Sequence, residues 1–157
     1  MNALLVLVCV IAGMVLMGLI VWFTMPSIML IKVRSKLSYH DTISALSENL
    51  GKKQDWKVLT VNNYKISTEA FVTLDQTASI NICNPRYASR ILADHKDRGV
   101  TAFMPLAIGV YEDSKGQVFV SRLNIGLLGK MFGGTISKVM GVAEKDLSEV
   151  INSVKSF

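Results

Sequence analysis

The feature that most constrains this chain is an uncharged segment near its start. Twenty-one residues from Ala3 to Phe23 (ALLVLVCVIAGMVLMGLIVWF) carry no charge. A helix rises about 1.5 Å per residue, so a helix of this length crosses a hydrocarbon core of about 30 Å. Trp22 lies where an interfacial aromatic belt is expected, and Pro26 is expected to end the helix because it lacks a backbone donor. Residues 1–26 are therefore predicted to be a transmembrane anchor.

A cleaved secretory signal is the alternative for this segment. Such a signal has a basic region before its apolar stretch and a small-x-small cleavage site after it. Here only Met1 and Asn2 precede the apolar stretch, and the bulky sequence WFTMP (22–26) ends it. We therefore interpret the segment as an uncleaved anchor.

All charged side chains lie after the apolar segment. The seventeen Lys and Arg and the twelve Asp and Glu fall in residues 32–157, although half of the whole chain is apolar. The chain is too apolar to be disordered and too charged after Ile31 to be a polytopic membrane protein. Residues 27–157 are therefore predicted to be one soluble domain, large enough to form its own core.

Alternation and capping residues predict the elements of this domain. Ile28–Lys36 alternates apolar and basic residues, as a strand wetted on one face does. Ser38 and Asp41 have capping-box spacing, which predicts a helix that ends at Gly51. The other predicted strands are Trp56–Ile66, Ser79–Cys83, Thr101–Tyr111 and Gln117–Leu123. Pro105 is expected to mark an edge or a bulge.

Turn and cap residues complete the prediction. Asn84-Pro85 begins a short helix that reaches about Asp94. Asp113–Gly116 supplies a hairpin turn, and Asn124 begins a helical C-terminal region that Gly133-Gly134 interrupts. The predicted order is β-α-β-β-(short α)-β-β-α, which indicates an α+β fold with a mainly antiparallel sheet.

Three separated motifs carry a family resemblance. They are ICNPRYASRIL (82–92), FMPLAIGVYEDSKGQVFVSRLN (103–124) and GLLGKMFGGTISKVM (126–140). Together they resemble the domain of unknown function 302 family, in particular its branch with Cys-Asn-Pro and Met-Phe-Gly-Gly motifs. The resemblance covers roughly Met29 to Val154. It implies a TATA-binding-protein-like antiparallel sheet with packing helices, usually as a homodimer, and it implies no activity. The branch is expected to carry Cys-Arg after Met-Pro, where this chain has Leu106-Ala107.

Cys83 is the most reactive group that the pattern places near a possible site. A thiol beside a helix N-terminus is favoured in its ionised form, which attacks disulfides, carries persulfide sulfur or binds soft metals. A cysteine that ends an apolar strand is also often simply buried, and no C-x-x-C motif accompanies this one. We expect a ligand or a partner to bind in a cleft near the Cys-Asn-Pro and Met-Pro motifs. The candidate binding residues are Cys83, Asn84, Pro85, Met104 and Pro105.

A soft-metal or haem site is the alternative use of these residues. Thiolate, imidazole and thioether groups from Cys83, His95, Met104 and Met131 would suit copper(I) or haem iron. Neither His40 nor His95 has a second histidine at ligand spacing, and the methionines fit a core equally well. No cofactor is therefore predicted, with haem or copper as the alternative.

Nucleic-acid binding and hydrolysis both lack a complete motif. Gly126-Leu-Leu-Gly129-Lys130 does not have the spacing of a Walker loop or the polar residues of a GXXG module. The net charge of +5 suits a domain beside anionic lipid as well as nucleic acid, so no nucleic-acid partner is predicted. The chain has no G-x-S-x-G or H-E-x-x-H sequence, and it contains no complete catalytic set.

The functional prediction is a membrane-anchored binding or accessory module. We expect it to be a homodimer or part of a larger membrane complex, and the alternative is a thiol-dependent redox or sulfur-transfer protein that uses Cys83. The apolar tail supports a partner, because its apolar residues cover more than one helical face and the excess must be buried. These residues are Ile125, Leu127, Leu128, Met131, Phe132, Ile136, Val139 and Met140.

The sidedness of the domain is a testable prediction. Lys32, Arg34 and Lys36 follow the anchor and no Lys or Arg precedes it, so the positive-inside rule favours a cytoplasmic domain. Whole domains are also translocated with little regard for charge, so the opposite orientation is the alternative. Alkaline phosphatase fused after residue 157 is expected to be inactive in bacterial cells. An active fusion would place the domain outside the cytoplasm.

Overall fold

The computed structural model describes residues 2–156. The helices are α1 (Ala3–Met29), α2 (Tyr39–Gly51), α3 (Tyr64–Ser67), α4 (Pro85–Leu92), a 3-10 helix (His95–Phe103), α5 (Ile125–Phe132) and α6 (Gly134–Asn152). The strands are β1 (Leu30–Arg34), β2 (Lys57–Asn63), β3 (Thr77–Cys83), β4 (Leu106–Glu112) and β5 (Val118–Leu123). The predicted α+β class is confirmed.

The five strands form one antiparallel sheet in the order β1-β5-β4-β3-β2. Leu30 pairs with Leu123, Leu106 with Ile82, and Cys83 with Lys57. These pairs all lie at the end of the sheet where α1 leads into β1, which we call the anchor end. The β4–β5 hairpin and the end of β1 lie at the opposite end, which we call the far end.

The core lies between one face of the sheet and the helices α2 and α6. Alternate residues of the central strands point into it, and Ile80 and Ile82 are fully buried there as the alternation predicts. Leu46 of α2 and Leu147 of α6 pack against them. A second, smaller cluster joins α4, the 3-10 helix and the first half of α6. Its buried members are Ile91, Val100, Ile136, Val139 and Met140.

The predicted caps are confirmed, because each one is a local interaction. The Ser38 hydroxyl accepts a hydrogen bond from the Asp41 amide at 3.3 Å. The Asn124 side chain accepts one from the Leu127 amide at 3.0 Å and so begins α5. Gly116 in the β4–β5 hairpin has φ of +69°, as the turn requires.

The prediction that Pro26 ends the first helix is wrong. The helix continues to Met29, and the Leu30 amide donates to the Pro26 carbonyl at its end. Proline removes one hydrogen bond to the preceding turn, but its φ is compatible with a helix and its own carbonyl still accepts. As a result β1 begins at Leu30 instead of Ile28.

Two predicted strands are shorter in the structure. Residues 101–103 belong to the 3-10 helix, and β4 begins immediately after Pro105, in the interior of the sheet. Pro105 therefore precedes a strand instead of marking an edge or a bulge, because it has no N–H to give to the ladder. The bulge lies in β2, between Val58 and Thr60. β2 ends at Asn63, whose side chain caps α3.

The predicted interruption of the C-terminal helical region is confirmed. Gly133 and Gly134 have φ of +70° and +53°, and they join α5 to α6. The two helices pack closely, since a Cβ on Gly129 would lie 2.7 Å from the Met140 Cβ. This contact covers part of the apolar excess, whereas Met131 and Phe132 remain 68% and 50% exposed. Burial of these two side chains by a partner stays a prediction.

A buried ion pair ties α5 and α6 to the sheet. Arg122 of β5 is 5% exposed and donates to both carboxylate oxygens of Glu144, at 2.7 and 2.5 Å. Ser148 Oγ accepts from Arg122 at 3.0 Å, and Glu144 also accepts from the Gly126 amide at 3.3 Å. Burial alone raises the pKa of the Glu144 carboxyl, but the hydrogen bonds and charge of Arg122 outweigh it and lower that pKa.

Removal of one charge from this pair is expected to destabilise the domain strongly. Glu144→Gln leaves the Arg122 guanidinium buried without a counter-charge, and a loss of about 3 kcal/mol in unfolding free energy is expected. Because the folded-state pKa of Glu144 is lowered, its contribution is present above the unfolded-state pKa and is lost as pH falls through the folded value. Urea unfolding at several pH values measures both effects.

The matched control is Glu48→Gln, which removes an exposed salt bridge to Lys52. This change is expected to leave stability almost unaltered, because exposed ion pairs are screened by solvent. A double replacement of Arg122 by Met and Glu144 by Leu is expected to recover most of the loss. Equal stability of Glu144→Gln and the unaltered chain would contradict this account.

Candidate functional site

The junction between β3 and α4 supplies the first wall of the site. The strand ends at Cys83, and Asn84 caps the helix by accepting from the Tyr87 amide at 3.1 Å. The same amide side chain donates to the Gln54 carbonyl at 3.1 Å, and Asn84 is only 5% exposed. Pro85 takes the first helical position, where a missing N–H costs nothing. The Cys-Asn-Pro sequence therefore turns the chain sharply at the anchor end of the sheet.

The segment between the 3-10 helix and β4 supplies the opposite wall. Met104 and Pro105 join these elements, and the peptide bond between them is cis. Met104 packs against the smaller core cluster, and Leu106 packs against the larger one.

These walls enclose a cavity at the junction of the two core clusters. It opens to solvent, and the empty space within it and its mouth together amounts to about 460 Å³. The lining residues come from the two walls, from Trp56 just before β2, and from the helices α4, α5 and α6. They are Trp56, Ile82, Cys83, Asn84, Tyr87, Ala88, Ile91, Phe103, Met104, Pro105, Leu106, Ile125, Val139, Met140 and Ala143.

Two aromatic side chains on the lining share one carboxylate. Trp56 and Tyr87 meet edge to face with ring centroids 6.0 Å apart. The indole N–H of Trp56 and the hydroxyl of Tyr87 each donate to Asp146 Oδ2 at 3.0 Å. Burial raises the pKa of Tyr87, and the hydrogen bond to Asp146 raises it further. Asp146 thus orients both rings by accepting a hydrogen bond from each.

The polar groups of the lining are few and mostly satisfied within the domain. No Asp, Glu, Lys, Arg or His is among the lining residues, and the ionisable side chains there are Cys83 and Tyr87. An uncompensated charge in such an environment is costly. The cavity therefore suits a neutral, mainly apolar occupant, with one thiol on its wall.

The structure brings four of the five predicted binding residues together. Cys83, Asn84, Met104 and Pro105 all line the cavity, although they come from two separate motifs. Pro85 is exposed on α4 and does not line it.

The four residues proposed for a soft metal are not assembled in one place. Cys83 and Met104 line the cavity, but His95 is exposed at the start of the 3-10 helix and Met131 is exposed on α5. Within residues 2–156 no group of three or more His, Cys, Asp and Glu is placed to hold a metal ion.

Sequence reasoning missed Trp56, Tyr87 and Asp146. Asp146 lies 90 residues from Trp56 and 59 from Tyr87 along the chain. No local pattern connects such distant positions, because only the packing of α6 on the sheet brings them together. The motif ICNPRYASRIL (82–92) does contain Tyr87. Its position one helical turn after the Asn84 cap is the sequence signal that points to it.

Comparisons with known proteins agree on the family and the fold. A family model described as "Domain of unknown function DUF302" matches residues 31–154. A crystal structure of an uncharacterized conserved DUF302 protein from Bacillus stearothermophilus is similar, with a TM-score of 0.69 and 21% sequence identity. The match covers 81% of this chain and 98% of that chain, and at this identity it supports the fold alone. No curated protein matches the chain.

The shared carboxylate of Asp146 is expected to stabilise the cavity wall. Asp146→Leu leaves the Trp56 indole N–H and the Tyr87 hydroxyl without their acceptor, and a loss of about 2 kcal/mol in unfolding free energy is expected. Urea unfolding measures this loss. Lys145→Leu, at the exposed neighbouring position, is the control and is expected to have little effect. Equal stabilities of the two variants would show that Asp146 does not support the wall.

Proposed function

The chain belongs to the DUF302 family, and from its cavity we propose that it is a membrane-anchored binding module for a neutral, mainly apolar molecule. The observation that carries this proposal is the apolar lining, which joins the Cys-Asn-Pro and Met-Pro motifs at the anchor end of the sheet. A ligand there would replace water against apolar side chains, which favours binding by the hydrophobic effect. The module acts by holding its ligand and needs no catalytic set.

The anchor is part of the same proposal. α1 has 27 residues and is long and apolar enough to cross a membrane. None of its residues is buried, so it is not a core helix of the domain. Lys32 and Arg34 follow it on β1, which supports a single-pass protein with its domain in the cytoplasm.

Association with a second copy or a larger membrane complex is the third part of the proposal. Three apolar side chains near the far end support it, since Ile66, Phe71 and Val72 are 68%, 91% and 49% exposed. Exposed apolar groups that lie close together mark interaction surfaces in soluble domains.

A thiol-dependent redox or sulfur-transfer role is the second candidate function. The placement of Cys83 on the cavity wall favours it, because a bound molecule would contact the thiol directly. The two functions differ in how the occupant is held. It is bound noncovalently in the first and as a covalent adduct of Cys83 in the second.

Filling the cavity is expected to expel its occupant. The full chain purified from its own membranes is expected to carry a neutral apolar molecule, seen as added mass in native mass spectrometry. Ala88→Leu places a larger side chain on the lining and is expected to lose that mass. Ser89→Leu adds the same side chain at the exposed neighbouring position and is expected to keep it.

The same spectra distinguish the alternatives. A mass that persists under denaturing conditions and disappears in Cys83→Ser would support the thiol-dependent function. The stoichiometry of the intact particle reports whether a second copy is present. No added mass in the unaltered chain, or equal mass in both leucine variants, would contradict the binding proposal.

A further inference from the structure

The end of the anchor helix is fixed directly to the start of α5. The Asn124 amide donates to the Met29 carbonyl at 2.8 Å, and the Asn124 side chain donates to the Ile28 carbonyl at 3.2 Å. Asn124 also caps α5. The first turn of α5 is therefore held at the point where α1 leaves the membrane.

The length of α1 places this point at the bilayer surface. A helix of 27 residues is about 40 Å long, which equals the thickness of a bilayer with its headgroups, about 40–45 Å. The Ala3–Phe23 segment fills the hydrocarbon core, so Met29 lies at headgroup level. The anchor end of the sheet begins at the next residue, Leu30, and therefore faces the membrane.

The α5–α6 turn also lies at this end. α6 finishes at the far end, where the Val154 carbonyl just after it accepts from the Lys36 amide at 3.0 Å. α5 runs antiparallel to α6, because Gly126 approaches Glu144 whereas Gly129, one turn later, approaches Met140. The Gly133-Gly134 turn therefore lies beyond the Arg122–Glu144 pair, on the membrane side.

An exposed apolar surface covers this part of the domain. Phe103 and Phe132 meet edge to face with ring centroids 5.9 Å apart, and they are 37% and 50% exposed. The neighbouring Met131 is 68% exposed, and the residue before it, Lys130, is exposed as well. Leu30 and Leu123 are exposed at the same end of the sheet. We call these five apolar side chains, Leu30, Phe103, Leu123, Met131 and Phe132, the anchor-end patch.

We propose that the anchor-end patch lies in the headgroup region of the bilayer that holds α1, with Phe132 and Met131 in contact with lipid. This inference rests on the proposed membrane anchor. Aromatic rings and long apolar side chains are favoured in that region, and an exposed Lys beside them contacts lipid phosphates.

The bilayer is the occupant that the geometry favours over a second copy. The patch is continuous with the end of α1, so lipid is always within reach, whereas a second copy must first displace it. Phe103 belongs to the patch and also lines the cavity. Phe103 therefore joins the patch to the cavity lining.

Nitroxide labels test this placement in the full chain, reconstituted in vesicles of phosphatidylcholine and phosphatidylglycerol. One label is placed at residue 132 through Phe132→Cys, with Cys9 and Cys83 replaced by Ser. The matched label is placed at residue 115 through Lys115→Cys, an exposed position in the β4–β5 turn at the far end. The label at 132 is expected to collide several-fold less with a water-soluble nickel chelate and more with oxygen than the label at 115.

A third label tests separately whether α1 lies in the membrane. Cys9 is the native cysteine within α1, and with Cys83→Ser it is the sole site for the label. A label at Cys9 is expected to be reached by oxygen and not by the chelate. Exposure of this label to the chelate would overturn the anchor, and the inference with it.

Two further outcomes would overturn the inference while the anchor stands. One is equal access of the chelate to the labels at 132 and 115. The other is dipolar broadening between labels at 132 that disappears on dilution with unlabelled chain, since it would place a second copy on the patch. Met131→Cys repeats the measurement at a position that is 68% exposed, where a label leaves the core unchanged.

Discussion

The buried pair of Arg122 and Glu144 is the interaction on which the other features of this domain depend. It joins β5 to the middle of α6, and through the Gly126 amide it also holds the first turn of α5. Desolvation of two charges is costly, and the Arg122 Nε has no hydrogen-bond partner within residues 2–156. Such a pair therefore contributes more to the orientation of the helices than to net stability. The positions of α5 and α6 against β5 are set in part by these contacts.

The cavity depends on the position of α6, because α6 contributes to both core clusters. Ala143 packs with the residues of the sheet, whereas Val139 and Met140 pack with α4 and the 3-10 helix. The cavity opens where the two clusters meet, and Asp146, one turn further along α6, holds Trp56 and Tyr87 at its side. A small rotation of α6 would move the lining and its aromatic wall together. The ion pair and the candidate site are therefore linked through a single helix.

The parts of this structure that sequence reasoning predicted are those that local interactions determine. Side-chain caps at Ser38, Asn84 and Asn124 act within three residues, and alternation along β3 identifies its buried face. The errors fall where distant packing decides the outcome. Thr101 and Phe103 have strand-forming side chains but lie in a 3-10 helix, whose Val100 is buried in the smaller cluster. The contacts of Asp146 had no local signal, so the aromatic side of the site was not predicted.

The position after Met104-Pro105 bears on the choice between binding and thiol chemistry. Leu106 lines the cavity, where the related branch is expected to carry a cysteine, so Cys83 is the single thiol of the lining. The other cysteine, Cys9, lies in α1 and outside the cavity. A disulfide needs two sulfur atoms with their Cα atoms within about 7 Å, so the lining itself cannot form one. A redox cycle would need a second thiol from another molecule at each turnover, whereas apolar binding uses the lining as it stands.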